Sequence, residues 1–242
     1  MGDLSNPETF IVEGDLGVSA LIESPFFVPR EVFLEKGRHP AILEQCSALD
    51  ITCEELTREG MLALGRPDFL RGACAVAERP ERGEPDGDFL VGAKRLLVPI
   101  DFSDGGNLGP LIRSACAFGV DGIVVEAGRG VDIFSPKCLR SSARALFRVP
   151  VFEVSHLGTT LDRLAEAGFI LLGVSDAEDS LSLTGVPPGR RTAVLFGGED
   201  KGLTPEIEGY CAQLMHIPVR PGSSLNAAAK GSIVLYELFG RA

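Results

Sequence analysis

Three stretches of the chain gather residue types with chemistry to offer. The first, Asp104-Gly-Gly-Asn-Leu-Gly-Pro-Leu-Ile-Arg113, follows an apolar run ending at Ile100. Asn107 is a good N-cap and proline is tolerated in a first turn, so a helix is expected to start here. Its free N–H groups and positive dipole end make an anion site. Arg113 lies less than two turns further on, where it either faces the same crevice or snorkels to solvent. The second stretch, Leu195-Phe-Gly-Gly-Glu-Asp-Lys-Gly-Leu-Thr-Pro205, follows another apolar run. Its glycines allow sharp turns and close approach to a ligand, and Glu199 is an acceptor for a hydroxyl or amine. Neither a Walker A loop nor a full GxGxxG is present, which argues against P-loop and Rossmann nucleotide sites. In the third, His216 to Lys230, a strand ends at Pro218, Ser223 and Ser224 can cap a helix, and Ala227 to Gly231 are small enough for tight packing.

The elements that would position these stretches alternate. Leu96–Ile100, Gly122–Glu126, Val151–Val154, Phe169–Val174, Thr192–Phe196 and Leu214–Pro218 read as buried parallel strands. Helical patterns at 108–118, 136–147, 159–167 and 224–239 lie between them, which implies an open parallel α/β sheet. In such sheets ligands bind beyond the carboxyl ends of the strands, where the three stretches sit. The stretch Glu78 to Asp88 has two prolines, two glycines and no apolar residue, which is linker composition. The expected organisation is therefore a small N-terminal α/β domain at 1–80, a linker at 81–93 and a larger domain at 94–242. In the first, Val28–Leu34 and Ala73–Ala77 read as strands, Cys53–Leu64 as a helix capped by Thr52, and Ala41–Leu49 is ambiguous.

Taken together and in order, the stretches resemble a known family. N-x-G-x-x-x-R-x-A-x-x-x-G at Asn107–Gly119, G-x-E-x-x-G-L at Gly197–Leu203, and Ile217-Pro218 followed by Ser224-Leu225-Asn226 are similar to the three motifs of the SpoU/TrmH (SPOUT) RNA methyltransferases. The resemblance runs from about residue 95 to the C-terminus. It implies a C-terminal trefoil knot, S-adenosylmethionine as cofactor, a small N-terminal substrate-binding domain and a homodimer with the active site completed near the subunit interface. The implied reaction is methyl transfer to a ribose 2′-hydroxyl of tRNA or rRNA. The matched positions imply catalytic or orienting roles for Arg113, Asn107, Glu199, Ser224 and Asn226. They imply cofactor contacts for Leu195, Gly197, Gly198, Ile217, Leu225 and Ala227. A guanidinium is a poor base, so Arg113 suits phosphate binding better than proton abstraction. Lys230 and Gly231 depart from the family pattern in the third motif and weaken the packing inference more than the chemistry. A catalytically silent knotted RNA-binding or assembly protein is the alternative, but the key Asn, Arg and Glu are retained.

Charge first argues the other way. The net charge is −11, which disfavours simple attraction to nucleic acid. The acidity is local, however: residues 1–93 hold 8 basic and 18 acidic residues, residues 94–242 hold 15 and 16. Lys137, Arg140, Arg144 and Arg148, with no acidic residue among them, are expected to line one helix face as an RNA phosphate track. Any RNA contact by the N-terminal part would need a local patch, around Arg66, Arg71 and Arg79. Six scattered cysteines without CxxC, and three isolated histidines, argue against a disulfide framework or a metal site and for reduced thiols in the cytoplasm. No apolar run spans a bilayer and no secretory signal is recognised, so neither a membrane nor a metal is expected.

Overall fold

A computed structural model describes residues 6–64, 72–176, 180–185, 191–199, 201–220 and 222–241. The N-terminal part runs β1 (Thr9–Glu13), α1 (Asp15–Ile22), β2 (Pro29–Glu35), α2 (Pro40–Ala48), β3 (Cys53–Leu56), α3 (Arg58–Ala63) and β4 (Ala73–Glu78). Its mixed sheet has the order β1-β4-β2-β3, with β3 parallel to β2 and the other pairs antiparallel. The helix expected over Cys53–Leu64 is in fact β3 followed by α3. Cys53–Leu56 extends along β2, and Thr57, not Thr52, caps the short helix by accepting from Gly60 N. Arg66 and Arg71 lie outside the described residues.

The remainder runs α4 (Gly87–Gly92), β5 (Arg95–Ile100), α5 (Gly105–Ala117), β6 (Gly122–Glu126), α6 (Pro136–Ser141), β7 (Val151–Val154), α7 (Leu157–Glu166), β8 (Ile170–Val174), β9 (Leu181–Ser182), β10 (Thr192–Gly197), α8 (Pro205–Glu208), β11 (Gln213–His216) and α9 (Ala227–Leu235). The second half of the expected linker is thus a helix. Asp86 caps α4, and Leu90 and Ala93 are buried against the larger sheet. That sheet has the order β7-β6-β5-β10-β8-β11-β9, and its strand pairs are parallel. Buried on both faces, β5 and β10 are apolar almost throughout, as parallel strands require. The order reverses between β5 and β10, the kind of switch point at which α/β sheets open a crevice.

An aromatic cluster joins the two sheets. Phe10 of β1 stacks on Phe134 at 4.6 Å between centroids, and Phe27 meets Phe134 and Phe147 edge-on. Each such pair contributes about 0.5–1.5 kcal/mol beyond its buried area. Arg79 lies over the Phe134 ring and pairs with Asp132 and the largely buried Glu153, so it staples the sheets and is not an open RNA contact. Burial pushes the Glu153 carboxyl up and Arg79 opposes this. A raised carboxyl favours the fold most below its unfolded pKa and loses that contribution as pH rises. Arg79→Met should therefore cost about 2 kcal/mol at neutral pH, and less at mildly acidic pH, where the raised Glu153 carboxyl takes up a proton. Urea unfolding at the two pH values checks this, and an equal loss at both removes Glu153 from the account.

Burial pushes the Cys116 thiol up to about 11 and those of Cys53, Cys138 and Cys211 to about 12, so these groups are neutral at physiological pH. Among the described residues no helix is long and apolar enough to cross a membrane, and no group of three or more His, Cys, Asp or Glu is arranged for a metal.

Candidate active site beyond the parallel strands

The loops after β5, β10 and β11 meet at one end of the larger sheet. Ile100 and Gly197 are register partners, so the first two loops leave the sheet side by side. Gly198 N donates to the Ile100 carbonyl at 2.8 Å, and Gly202 N donates back to the Gly198 carbonyl at 2.9 Å. A Cβ at Gly198 would overlap the Asp101 carbonyl, and one at Gly197 would overlap the Gly202 backbone. Glycine here lets two loops stack backbone to backbone. Asp101, at φ 51, turns the chain sharply out of β5.

Helix α5 starts three residues earlier than the expected Asn107 cap would place it. Asp104 is the N-cap and accepts from Gly106 N, while Lys137 pairs with its carboxylate at 2.6 Å and holds that carboxyl below its usual range. Asn107 is freed for another partner. Its Oδ1 accepts from Asn226 Nδ2 at 2.8 Å, and Asn226 Oδ1 caps α9 by accepting from Ala229 N. Asn226, not Ser223 or Ser224, is therefore the cap of α9, and both serines are exposed. Gly231, a departure from the family pattern, lies where α9 crosses α5 closely. A Cβ there would overlap Leu111, and Ser114 and Ser232 bond across the same contact at 2.7 Å.

Two adjoining cavities flank these loops. One, of about 590 Å³, is lined by Asp176, His216, Ile217, Ser224, Leu225 and Lys230 among others. The other, of about 330 Å³, is lined by Gly197, Gly198, Glu199, Leu225, Ala227 and Lys230, again with Asp176. Asp176 and Lys230 form an ion pair at 3.0 Å, and Ser180 Oγ and His216 Nδ1 lie 2.9 Å apart. The sequence reading missed Asp176, although it lies just beyond the end of β8, where strand-end residues invite scrutiny.

Most of the expected cofactor positions thus come together, as do Asn107 with Asn226 and Glu199 with Leu225. Two do not. Leu195 is wholly buried within β10 and reaches neither cavity, because alternate residues of a strand face opposite sides. Arg113 is exposed on α5, lines neither cavity and pairs with no carboxylate among the described residues.

The basic residues do not share a helix face. Helix α6 ends at Ser141, Ala143 and Arg144 take positive φ (50 and 73), and a single 3₁₀ turn, Ala145–Arg148, follows. The turn carries Phe147 down to Phe27. Lys137 is committed to Asp104 and Arg140 to Glu13 at 3.0 Å, leaving Arg144 and Arg148 as the exposed cations of the set without a carboxylate partner among the described residues.

A family model described as the SpoU rRNA Methylase family matches residues 94–236. The chain is 28% identical over 233 residues to the 23S rRNA (guanosine(2553)-2′-O)-methyltransferase RlmP of Bacillus subtilis, covering 96% of this chain and 89% of that one. It is 36% identical over 148 residues to an uncharacterised tRNA/rRNA methyltransferase of Mycolicibacterium smegmatis, covering 60% of this chain and 46% of the other. Among solved structures it resembles the SpoU methyltransferase AviRb of Streptomyces viridochromogenes in complex with the cofactor AdoMet. That match has a TM-score of 0.83 and 25% identity over 99% of this chain and 94% of the other.

Proposed function

Because the chain belongs to the SpoU rRNA methylase family, we propose that its paired cavities hold S-adenosylmethionine and that the loop after β5 presents this cofactor to RNA. The protein is an S-adenosylmethionine-dependent RNA methyltransferase acting on a ribose 2′-hydroxyl of rRNA or tRNA. The observation that carries the assignment of the site is the Asn226–Asn107 bond. It fixes the helix beside the cavities to the first turn of α5, at the carboxyl ends of adjacent strands.

The residues present suit that cofactor. Gly202 and Gly222 line the cavities, and a Cβ at either would meet open space, so backbone forms much of the wall. Asp176 and Glu199 bring negative charge to the cavity wall, which suits a cationic ligand. When bound, S-adenosylmethionine supplies an electrophilic methyl group. Gly197, Gly198, Ile217 and Leu225 hold it, chiefly through backbone groups, while Asn107 and Asn226 fix the two loops. Glu199, at the loop tip, orients the ribose, and Ser224 steadies the loop leading into α9. Arg113 binds the adjacent phosphate and polarises the 2′-oxygen, since a guanidinium offers donors and no acceptor.

The reading extends to assembly. Strand β10 enters between β5 and β8, and α9 returns across α5, an arrangement consistent with trefoil threading. Arg113 is exposed on α5, and across the α5–α9 contact Ile233 and Tyr236 are 42% and 50% exposed. A second copy docked there would receive Arg113 at its own cleft, which explains why one chain leaves that residue outside its own cavities. The N-terminal part is the RNA-substrate domain in this reading, and the RNA substrate makes the cytoplasm the working compartment.

Calorimetry with S-adenosylhomocysteine, followed by nucleoside mass spectrometry of RNA from a deletion strain, tests the function. No binding at millimolar ligand favours the silent RNA-binding alternative, and a base-methylated product overturns the ribose assignment. Arg144 offers a separate test. Its left-handed backbone costs about 1 kcal/mol, which glycine would not incur. Arg144→Gly should therefore raise stability by about that amount while weakening RNA binding and lowering the salt slope by about 0.7–0.9. Unchanged RNA affinity at moderate salt removes Arg144 from the phosphate track, leaving Arg148.

A further inference from the structure

Lys230 stands in the first turns of α9, among alanines and glycine. A cation there opposes the helix dipole, which favours negative charge at this end. Its own backbone N–H is already committed to the Asn226 carbonyl. The side chain is only 26% exposed and reaches Asp176 Oδ2 at 3.0 Å, whereas Asp176 is 71% exposed. Both residues line both cavities, so the ion pair sits on their shared wall. A half-solvated pair of this kind contributes little to stability, too little to explain a lysine in so unfavourable a position.

We propose that Lys230 and Asp176 form the recognition site for the amino-acid end of the cofactor, Lys230 receiving its carboxylate and Asp176 its ammonium group. The inference rests on the cavities being the S-adenosylmethionine site and deepens that reading by assigning which end of the ligand lies at the shared wall. A zwitterion carries one group of each sign, as the pair does, so binding exchanges one weak ion pair for two charge-assisted contacts. The exchange needs no backbone movement, because one partner is mostly in water already. It also gives a role to the lysine that departs from the family pattern.

The test compares ligands with and without the amino-acid moiety. Calorimetry would measure S-adenosylmethionine, S-adenosylhomocysteine and 5′-methylthioadenosine against the wild type, Lys230→Met, Lys230→Arg and Asp176→Asn. Lys230→Met keeps the buried stem and should weaken the first two ligands about tenfold, with 5′-methylthioadenosine changed less than about twofold. Lys230→Arg should recover most of the loss. Asp176→Asn, at an exposed position that does not threaten folding, should show the same ligand selectivity. Equal losses for all three ligands, or no loss in either variant, overturn the proposal. A wild type that binds none of the three overturns instead the cofactor reading on which it rests.

Discussion

Arg113→Ala should lower the single-turnover rate of methyl transfer roughly 10²–10³-fold, with S-adenosylmethionine affinity and stability unchanged. The rate should fall because a positioned donor beside developing charge commonly contributes about 3–4 kcal/mol to a transition state. Affinity should hold because Arg113 lines neither cavity of its own chain. Stability should hold within about 0.5 kcal/mol because the side chain is exposed and makes no ion pair among the described residues. The geometry adds a sharper expectation. If Arg113 serves the cleft of a second copy, mixing Arg113→Ala with a variant that keeps Arg113 but cannot bind cofactor should restore one working site per mixed dimer. Random exchange would return roughly a quarter of wild-type activity. Full activity of Arg113→Ala alone would remove the residue from the mechanism. Failure of the mixture to recover any activity would place Arg113 in its own chain's site.

How far the sequence foretold this site follows from which interactions are local. Runs such as Leu96–Ile100 and Thr192–Phe196 were readable as central parallel strands because burial on both faces leaves no polar alternation. The loops after them were readable because their position beyond strand ends is set by fold class alone. The start of α5 was not. Asp104 and Asn107 are both good caps three residues apart, and the choice is made by Lys137 and by Gly105 packing on Cys138, some thirty residues away. The broken helix after Ser141 was equally hidden. Nothing between Pro136 and Arg148 forbids a continuous helix, and the left-handed turn at Ala143–Arg144 accompanies Phe147 packing on Phe27, in the connection before β2 of the N-terminal part. Gly231 looked like a flaw in the motif only because Leu111, its reason, lies on another helix. Net charge misled for a related reason: it averages an acidic N-terminal part over a nearly neutral remainder that carries the site.

The close contact between the loops after β5 and β10 leaves no room for a single added methyl group. In Gly198→Ala the new Cβ would overlap the Asp101 carbonyl and approach Phe102 Cα at 3.0 Å. Both are backbone atoms, so no side chain can rotate away. Asp101 is already held at φ 51, and its neighbour Phe102 is pinned by Val131 N donating to its carbonyl. Relief must come from Gly198 moving away, which breaks its 2.8 Å bond to the Ile100 carbonyl and displaces Glu199 from the cavity wall. Overpacking of this kind costs about 3 kcal/mol, within what a domain stable by 5–15 kcal/mol survives. The folded variant should bind S-adenosylhomocysteine at least about 30-fold more weakly, since a 2 kcal/mol loss in the cleft corresponds to that factor. Urea unfolding and calorimetry measure the two effects separately. Stability within about 0.5 kcal/mol of wild type with unchanged affinity would mean that the loops do not touch, and the cleft would then lose the contact that joins its cofactor side to its RNA side. Reduced affinity in a folded protein makes Gly198→Ala the cofactor-deficient partner that the Arg113 mixing experiment requires, so the two results together decide whether one site is built from two chains.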